Sequence, residues 1–131
     1  ADDFVLRGLQ LNDHFINDSN NDWKHQGMLF GSAFIGYNEY GVSVDKKNLI
    51  NRVLLNIYTP TRRGIAMGDT KYLLLFVYGM PTRIVESTTN AGTSTVYEYK
   101  NPAASDSYLQ FALDDKNQYI KSVMLSDRPV K

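Results

Sequence analysis

The feature that most constrains this chain is that it repeats itself. Arg7-Gly8-Leu9-Gln10-Leu11-Asn12-Asp13 reads against Arg63-Gly64-Ile65-Ala66-Met67-Gly68-Asp69, with Arg, Gly and Asp identical and the apolar positions alike. Later, Val42-Ser43-Val44-Asp45-Lys46-Lys47-Asn48 reads against Phe111-Ala112-Leu113-Asp114-Asp115-Lys116-Asn117. After a one-residue slip, Ile50, Val53 and Leu55 match Ile120, Val123 and Leu125. Two blocks recurring in the same order point to duplication of one supersecondary unit. The boundary falls near Thr59-Pro60-Thr61-Arg62, dividing the 131 residues into a divergent first repeat, 1–59, and a better preserved second, 60–131. Units of roughly 60 residues seldom bury enough surface to be stable alone. The halves are therefore expected to pack as one compact body.

The second repeat carries the clearer elements. Gly68-Asp69-Thr70-Lys71 reads as a helix start, because Asp69 or Thr70 can accept from the orphan amides of a first turn. Gly79 supplies the stop and Pro81 forbids continuation. Tyr72 to Tyr78 is apolar on nearly all sides, so this helix is expected to be largely buried. A buried strand is the rival reading of so short a run, and the start and stop signals favour the helix. Ser87 to Ser94 reads as a polar loop with turn residues. Thr95 to Tyr99, Tyr108 to Leu113 and Tyr119 to Leu125 read as strands, with Asp114-Asp115-Lys116-Asn117 as a hairpin loop. In the first repeat, Val42, Val44, Val53 and Leu55 supply the matching apolar sheet face. After Asn12-Asp13, however, the polar run Asn17 to Asp22 cannot form a buried helix, so the first helix is expected to be degenerate. The expected fold class is α+β: two tandem repeats of a short helical segment packed on an antiparallel β-sheet.

A resemblance supports that architecture. Gly68-Asp69-Thr70-Lys71, then seven residues, then Gly79-Met80-Pro81-Thr82, resembles the G-x-T-K…L-G-K-P-T signature of the SmpA/OmlA (BamE-like) lipoproteins. Tyr97-Glu98-Tyr99, and Leu109 to Asp114 followed by Ile120-Lys121-Ser122-Val123, resemble the aromatic strand and hairpin of that family. The resemblance spans residues 63–125 closely and residues 7–57 in outline. It implies helical segments on an antiparallel sheet, and in tandem the unit is similar to the β-lactamase inhibitor protein (BLIP-like) superfamily. Its motifs are a cap, a helix stop and a hairpin, so they speak to fold more than to activity.

Charge and composition exclude several functions. Fourteen basic and fourteen acidic residues give zero formal net charge, which argues against nucleic-acid or anionic-membrane binding. No apolar stretch approaches the ~18 residues of a membrane span. Without cysteine there is no disulfide, thiol catalysis or thiolate metal site. The start at Ala1-Asp2-Asp3 rather than Met leads to the expectation of a processed, extracytoplasmic protein, in the envelope or secreted, with a lipid anchor upstream of Ala1 as one form of it.

Catalytic and metal constellations are also missing from the sequence pattern. His14 and His25 have acidic neighbours in Asp13, Asp18 and Asp22, but no metal-ligand spacing. Asp18-Ser19-Asn20-Asn21-Asp22 offers oxygen ligands in a row, yet lacks the glycine and closing glutamate of a calcium loop. No G-x-S-x-G elbow or Ser-x-x-Lys is present. Glu39, Glu86 and Glu98 are the only glutamates, and Glu98, alternating with Tyr97 and Tyr99, reads as a sheet-surface residue. Gly27, Gly31, Gly36 and Gly41 sit among strand formers rather than before a helix, so they do not form a phosphate loop. No catalytic residue, cofactor or metal is expected.

Aromatic content is the remaining signal. Nine tyrosines and one tryptophan are many for this length, and both types favour interfaces because they join large area to a polar tip. Trp23, Tyr37, Tyr40, Tyr97, Tyr99 and Tyr108 read either as core edges and sheet neighbours or, for several of them, as partner-binding residues on a concave sheet face formed by the two halves, and they are the candidate partner-binding residues. The expected function is that of a non-enzymatic exported bacterial protein acting through protein–protein contact, as an envelope component or an inhibitor. The alternative is a small-molecule or ion-binding module using the same aromatic face.

Overall fold

The computed structural model describes residues 2–15, 25–29, 32–36, 40–56, 59–89, 92–114, 116 and 118–130. Four strands, β1 (His25–Leu29), β2 (Ser32–Gly36), β3 (Tyr40–Val44) and β4 (Ile50–Leu55), precede one helix, α1 (Lys71–Tyr78). Four more follow: β5 (Arg83–Thr89), β6 (Gly92–Lys100), β7 (Tyr108–Leu113) and β8 (Ile120–Ser126). They form one antiparallel sheet in the order β1-β2-β3-β4-β8-β7-β6-β5.

This corrects the expected fold class. Among the described residues the chain does not form two tandem helix-on-sheet repeats of an α+β kind; it forms one continuous antiparallel sheet with one short α-helix. Among the described residues, only a turn of 3-10 helix at Asp2–Phe4 accompanies α1. The polar run Asn17 to Asp22, where the degenerate first helix was expected, lies outside the described residues. Sheet continuity has a physical cause. In each half the last strand would leave a row of backbone donors and acceptors unpaired, and antiparallel pairing satisfies both rows at once. Val53 pairs with Leu125 and Leu54 with Met124, which merges the apolar faces of the two halves.

Register assigns the faces. Tyr97, Phe111 and Val123 lie in one cross-strand row, and Tyr99, Leu109, Leu125, Val53 and Val42 in the next. These residues are buried, and Leu74 of α1 sits on them with no exposed surface. Tyr78, Tyr99 and Phe111 form an aromatic trio with ring centroids 5.3 to 5.8 Å apart. The opposite face carries the row Arg83, Glu98, Gln110, Met124 and Leu54, with Ser126 and Arg52 beside it.

The two repeated blocks make the same hydrogen bonds. Asn12 N–H donates to Ile50 O at 2.7 Å and Ile50 N–H to Asp13 O at 2.9 Å. Gly68 N–H donates to Ile120 O at 2.7 Å and Ile120 N–H to Asp69 O at 2.9 Å. Asn12 and Gly68 both hold positive φ, 71° and 95°, a conformation that Asn and Gly tolerate best. Downstream, Asp45 accepts from the amides of Lys47 and Leu49, and Asp114 from those of Gln118 and Tyr119. Each hairpin has its bulge at the corresponding step, Ser43/Val44 and Ala112/Leu113.

Two further expectations are corrected. Ser87 to Ser94 is not a plain loop: Ser87, Thr88 and Thr89 pair with Ser94, Thr93 and Gly92 in the β5–β6 hairpin. Threonine is β-branched and suits an edge strand with a solvated face, and the Thr88 and Thr93 hydroxyls meet at 3.2 Å. Nor is α1 largely buried. Leu74 alone is fully covered, while Tyr72, Leu73 and Phe76 face outward.

Candidate functional site

α1 exists because its ends are closed locally. Thr70 is the N-cap, with φ −80° and ψ 156°, and its side chain accepts from Leu73 N–H at 3.2 Å. Gly79 ends the helix at φ 77°, where its N–H donates to Leu75 O at 2.8 Å and a side chain would be strained. Between the caps every residue from Tyr72 to Tyr78 is apolar or aromatic. A helix turns every 3.6 residues, so one flank must point away from a single sheet. Leu74, Leu75, Val77 and Tyr78 pack inward.

The outward flank is an apolar ridge. Tyr72 is 65% exposed, Leu73 42%, Phe76 88% and Met80, just past the cap, 78%. Positions 72 and 76 stand one turn apart on one line, with Leu73 beside Phe76, and Met80 follows where Gly79 turns the chain out of the helix. Tyr119, half-exposed, lies at the helix start through its bridge to Thr70. Ile84, also exposed, stands on β5 opposite Tyr97 and so on the helix-covered side of the sheet. Large side chains offer roughly 200 Å² each. At the observed exposures, the ridge amounts to roughly 550 Å², and roughly 750 Å² with Ile84 and Tyr119. Monomeric proteins rarely expose a contiguous apolar patch beyond a few hundred Å².

The ridge is held rigidly. Arg63 grips Asp3 through two bonds, Nε to Oδ1 at 2.8 Å and Nη2 to Oδ2 at 2.7 Å, and donates from Nη1 to Val77 O at 2.9 Å. A cation at a helix C-terminus also complements its dipole. The hydrogen bond it donates to Asp3 holds the Arg63 guanidinium above its usual pKa, and its Cζ lies 5.0 Å from the centroid of the Tyr78 ring. Tyr99 Oη donates to Gly79 O at 2.8 Å, and Tyr78 Oη to Thr61 Oγ1 at 2.8 Å. Burial pushes the Tyr99 phenol up to about 12, and burial raises Tyr78 as well. These bonds tie down the C-terminal end of α1, and at its start Lys71 N–H donates to Gln118 O at 2.8 Å. At the helix start Lys71 leans its ammonium over the Tyr72 ring at 5.3 Å.

The six aromatics singled out by sequence fall in different places. Trp23 and Tyr37 lie outside the described residues. Tyr40, Tyr97 and Tyr99 are buried in the core on the helix-covered face. Tyr108 is half-buried on the opposite face, paired with Ser126. The structure therefore brings Tyr40, Tyr97 and Tyr99 onto one face but covers them. Residues that sequence reasoning missed are those of the ridge. Their signal was present in the all-round apolar character of an eight-residue helix, which one sheet cannot cover.

Glu98 also differs from its expected surface role. It alternates with Tyr97 and Tyr99 as expected, yet it is 1% exposed beneath the segment after β8. Oε1 accepts from Arg83 Nε at 3.0 Å, and Oε2 from Gln110 Nε2 at 3.0 Å and Val130 N–H at 2.7 Å. Gln110 Nε2 reaches Arg128 O as well, at 3.0 Å. With its oxygens engaged by structural donors, this carboxylate is a latch for the C-terminal segment.

Other chemistry is sparse. His14 is exposed beside Leu49, while the His25 side chain, Asp18 and Asp22 lie outside the described residues. Among the described residues no group of three or more His, Asp or Glu is placed to hold a metal ion. An open cleft of about 580 Å³ is lined by Arg7, Gln10, Pro60 and Arg62 among others, and none of Tyr40, Tyr97, Tyr99 and Tyr108 borders it. No described helix is long and apolar enough to cross a membrane. Scans against protein-family models, curated proteins and solved structures return no match to this chain.

Proposed function

We propose that this protein acts by protein–protein contact rather than catalysis, and that the outer face of α1 is its contact surface. The observation that carries the reading is the ridge itself: Tyr72 and Phe76 exposed in line on a helix, with Met80 exposed just past it, the helix start held by Lys71 N–H to Gln118 O and its end by Arg63 and Tyr99. Leaving that much apolar surface in water is unfavourable by roughly 25 cal/mol per Å², so its retention asks for an occupant. Aromatic and methionine side chains on a rigid support are what protein interfaces enrich. The same proposal includes an exported bacterial setting, envelope-bound or secreted, and kinship with SmpA/OmlA domains and BLIP-like inhibitors. That part leans on Gly68-Asp69-Thr70-Lys71 and Gly79-Met80-Pro81-Thr82, which bound the helix presenting the ridge.

A photo-reactive phenylalanine analogue at position 76 tests the reading in cells that make the protein. A discrete protein adduct from position 76, with none from an exposed position such as Lys46, is expected. Equal labelling from both positions, or none from either, would count against the ridge as a contact surface.

A further inference from the structure

We infer that the partner seated on this ridge is a second copy of the same chain, packed about a two-fold axis near Phe76; this rests on the reading of the ridge as a contact surface. Area is the first argument. Specific interfaces bury about 800 Å² per partner and need a total above about 1,000 Å². Two ridges of roughly 550 to 750 Å² each total roughly 1,100 to 1,500 Å², above that requirement and around the lower bound of the standard range. A partner with a much larger footprint would have to use polar ground beyond it.

Charge is the second argument. In a two-fold interface each patch meets itself, so any single-sign charge near the axis is set against its own copy. From Tyr72 to Thr82 the chain carries no charged residue, which removes that obstacle around Phe76, the Lys71 ammonium lying at the outer end over Tyr72. Basic and acidic counts are equal over the chain, so two copies approach without long-range repulsion.

Geometry is the third. Phe76 is the most exposed residue of the ridge, with Tyr72 one turn before it on the helix and Met80 just past the Gly79 cap. Antiparallel crossing at Phe76 sets the two Phe76 rings together and turns Tyr72 and Leu73 of each copy toward the Gly79 end of the other. Leu73 then falls opposite Gly79, where no side chain blocks the approach and the space beyond Cα is open.

Sedimentation equilibrium of the purified full chain, from about 5 µM to about 0.3 mM, tests the inference through mass action. The mass should rise from 14.9 kDa toward twice that value. Phe76→Asp should stay at the monomer mass throughout, with an unchanged circular dichroism spectrum because the side chain it replaces lies in solvent. Met80→Glu, outside the helix, should do the same and guards against a folding defect in the first variant. A wild-type chain monomeric at every concentration overturns the inference, as does a dimer that survives both substitutions. The two failures separate: a monomer that still yields a position-76 adduct with a different protein keeps the contact reading and removes the second copy. A monomer giving no adduct, or one only within its own chain, removes both.

Discussion

Replacing Glu98 by Gln should unlatch the C-terminal segment while keeping the shape of the side chain. In the native chain one buried carboxylate accepts from Arg83, Gln110 and the Val130 amide. Arg83 is nearly half exposed, so its ion pair is screened and contributes only about 0.5 kcal/mol. The other two bonds are buried and charge-assisted, and each falls from about 2 kcal/mol to about 1 kcal/mol when the acceptor becomes neutral. An amide must also turn its NH₂ toward one of the donors, and Arg83 can swing into water to relieve that clash. The expected loss is about 2 to 3 kcal/mol, read as a lower urea midpoint at unchanged slope. A second readout is local: carboxypeptidase should trim residues 127–131 faster from the variant, because Val130 N–H has lost its strongest acceptor. A stability change below about 0.5 kcal/mol with unchanged trimming would show that Glu98 does not hold the segment.

Leu74→Ala and Phe76→Ala should diverge although only two positions separate them. The first empties a fully buried site and loses about 3 kcal/mol, while the second, 88% exposed, stays within about 0.5 kcal/mol in dilute solution by thermal unfolding. Stability should also fall at alkaline pH. Tyr99, pushed up to about 12 against an ordinary 10.0, keeps in the folded state a proton that the unfolded chain releases. Its contribution is therefore full below pH 10 and is lost between pH 10 and about 12, by at most about 2 to 3 kcal/mol, and Tyr99→Phe should flatten that limb of a denaturation series. Asp114 behaves in the opposite sense. The amides of Gln118, Tyr119 and Lys116 hold its carboxyl below the usual 3.8, so its support of the β7–β8 hairpin is present above that pH and is lost only in stronger acid. A carboxyl carbon titration by NMR should place its midpoint below 3.8, and a midpoint at or above it would contradict the hydrogen-bonding pattern.

Local signals were legible in the amino-acid sequence, and non-local ones were not. The bounds of α1 followed from Thr70, Gly79 and Pro81, because capping is decided within a few residues. The repeated blocks were legible as well, and they return as matched hydrogen bonds at Asp13 and Asp69 and at Asp45 and Asp114. Strand β5 was not, since Ser87, Thr88 and Thr89 read as turn residues until they are paired with β6. Period-two patterning put Tyr97 and Tyr99 on one face correctly, but it does not say which face another element covers. That gap moved the candidate site. The aromatics expected to meet a partner include three in the core, while the helix expected to be buried carries the exposed ridge. Glu98 was similarly opaque, because its burial depends on a segment about 30 residues further along the chain.

Oxidation of Met80 by dilute peroxide, followed by peptide mass spectrometry, tests most directly whether the α1 ridge is a contact surface. Its thioether is 78% exposed in the single chain, so a dilute sample should oxidise at close to the rate of free methionine. At high concentration, or in an extract containing its partner, the rate at Met80 should drop several-fold, while that at half-buried Met124 on the opposite face stays constant. A Met80 that oxidises at the free rate under all of these conditions would contradict the account.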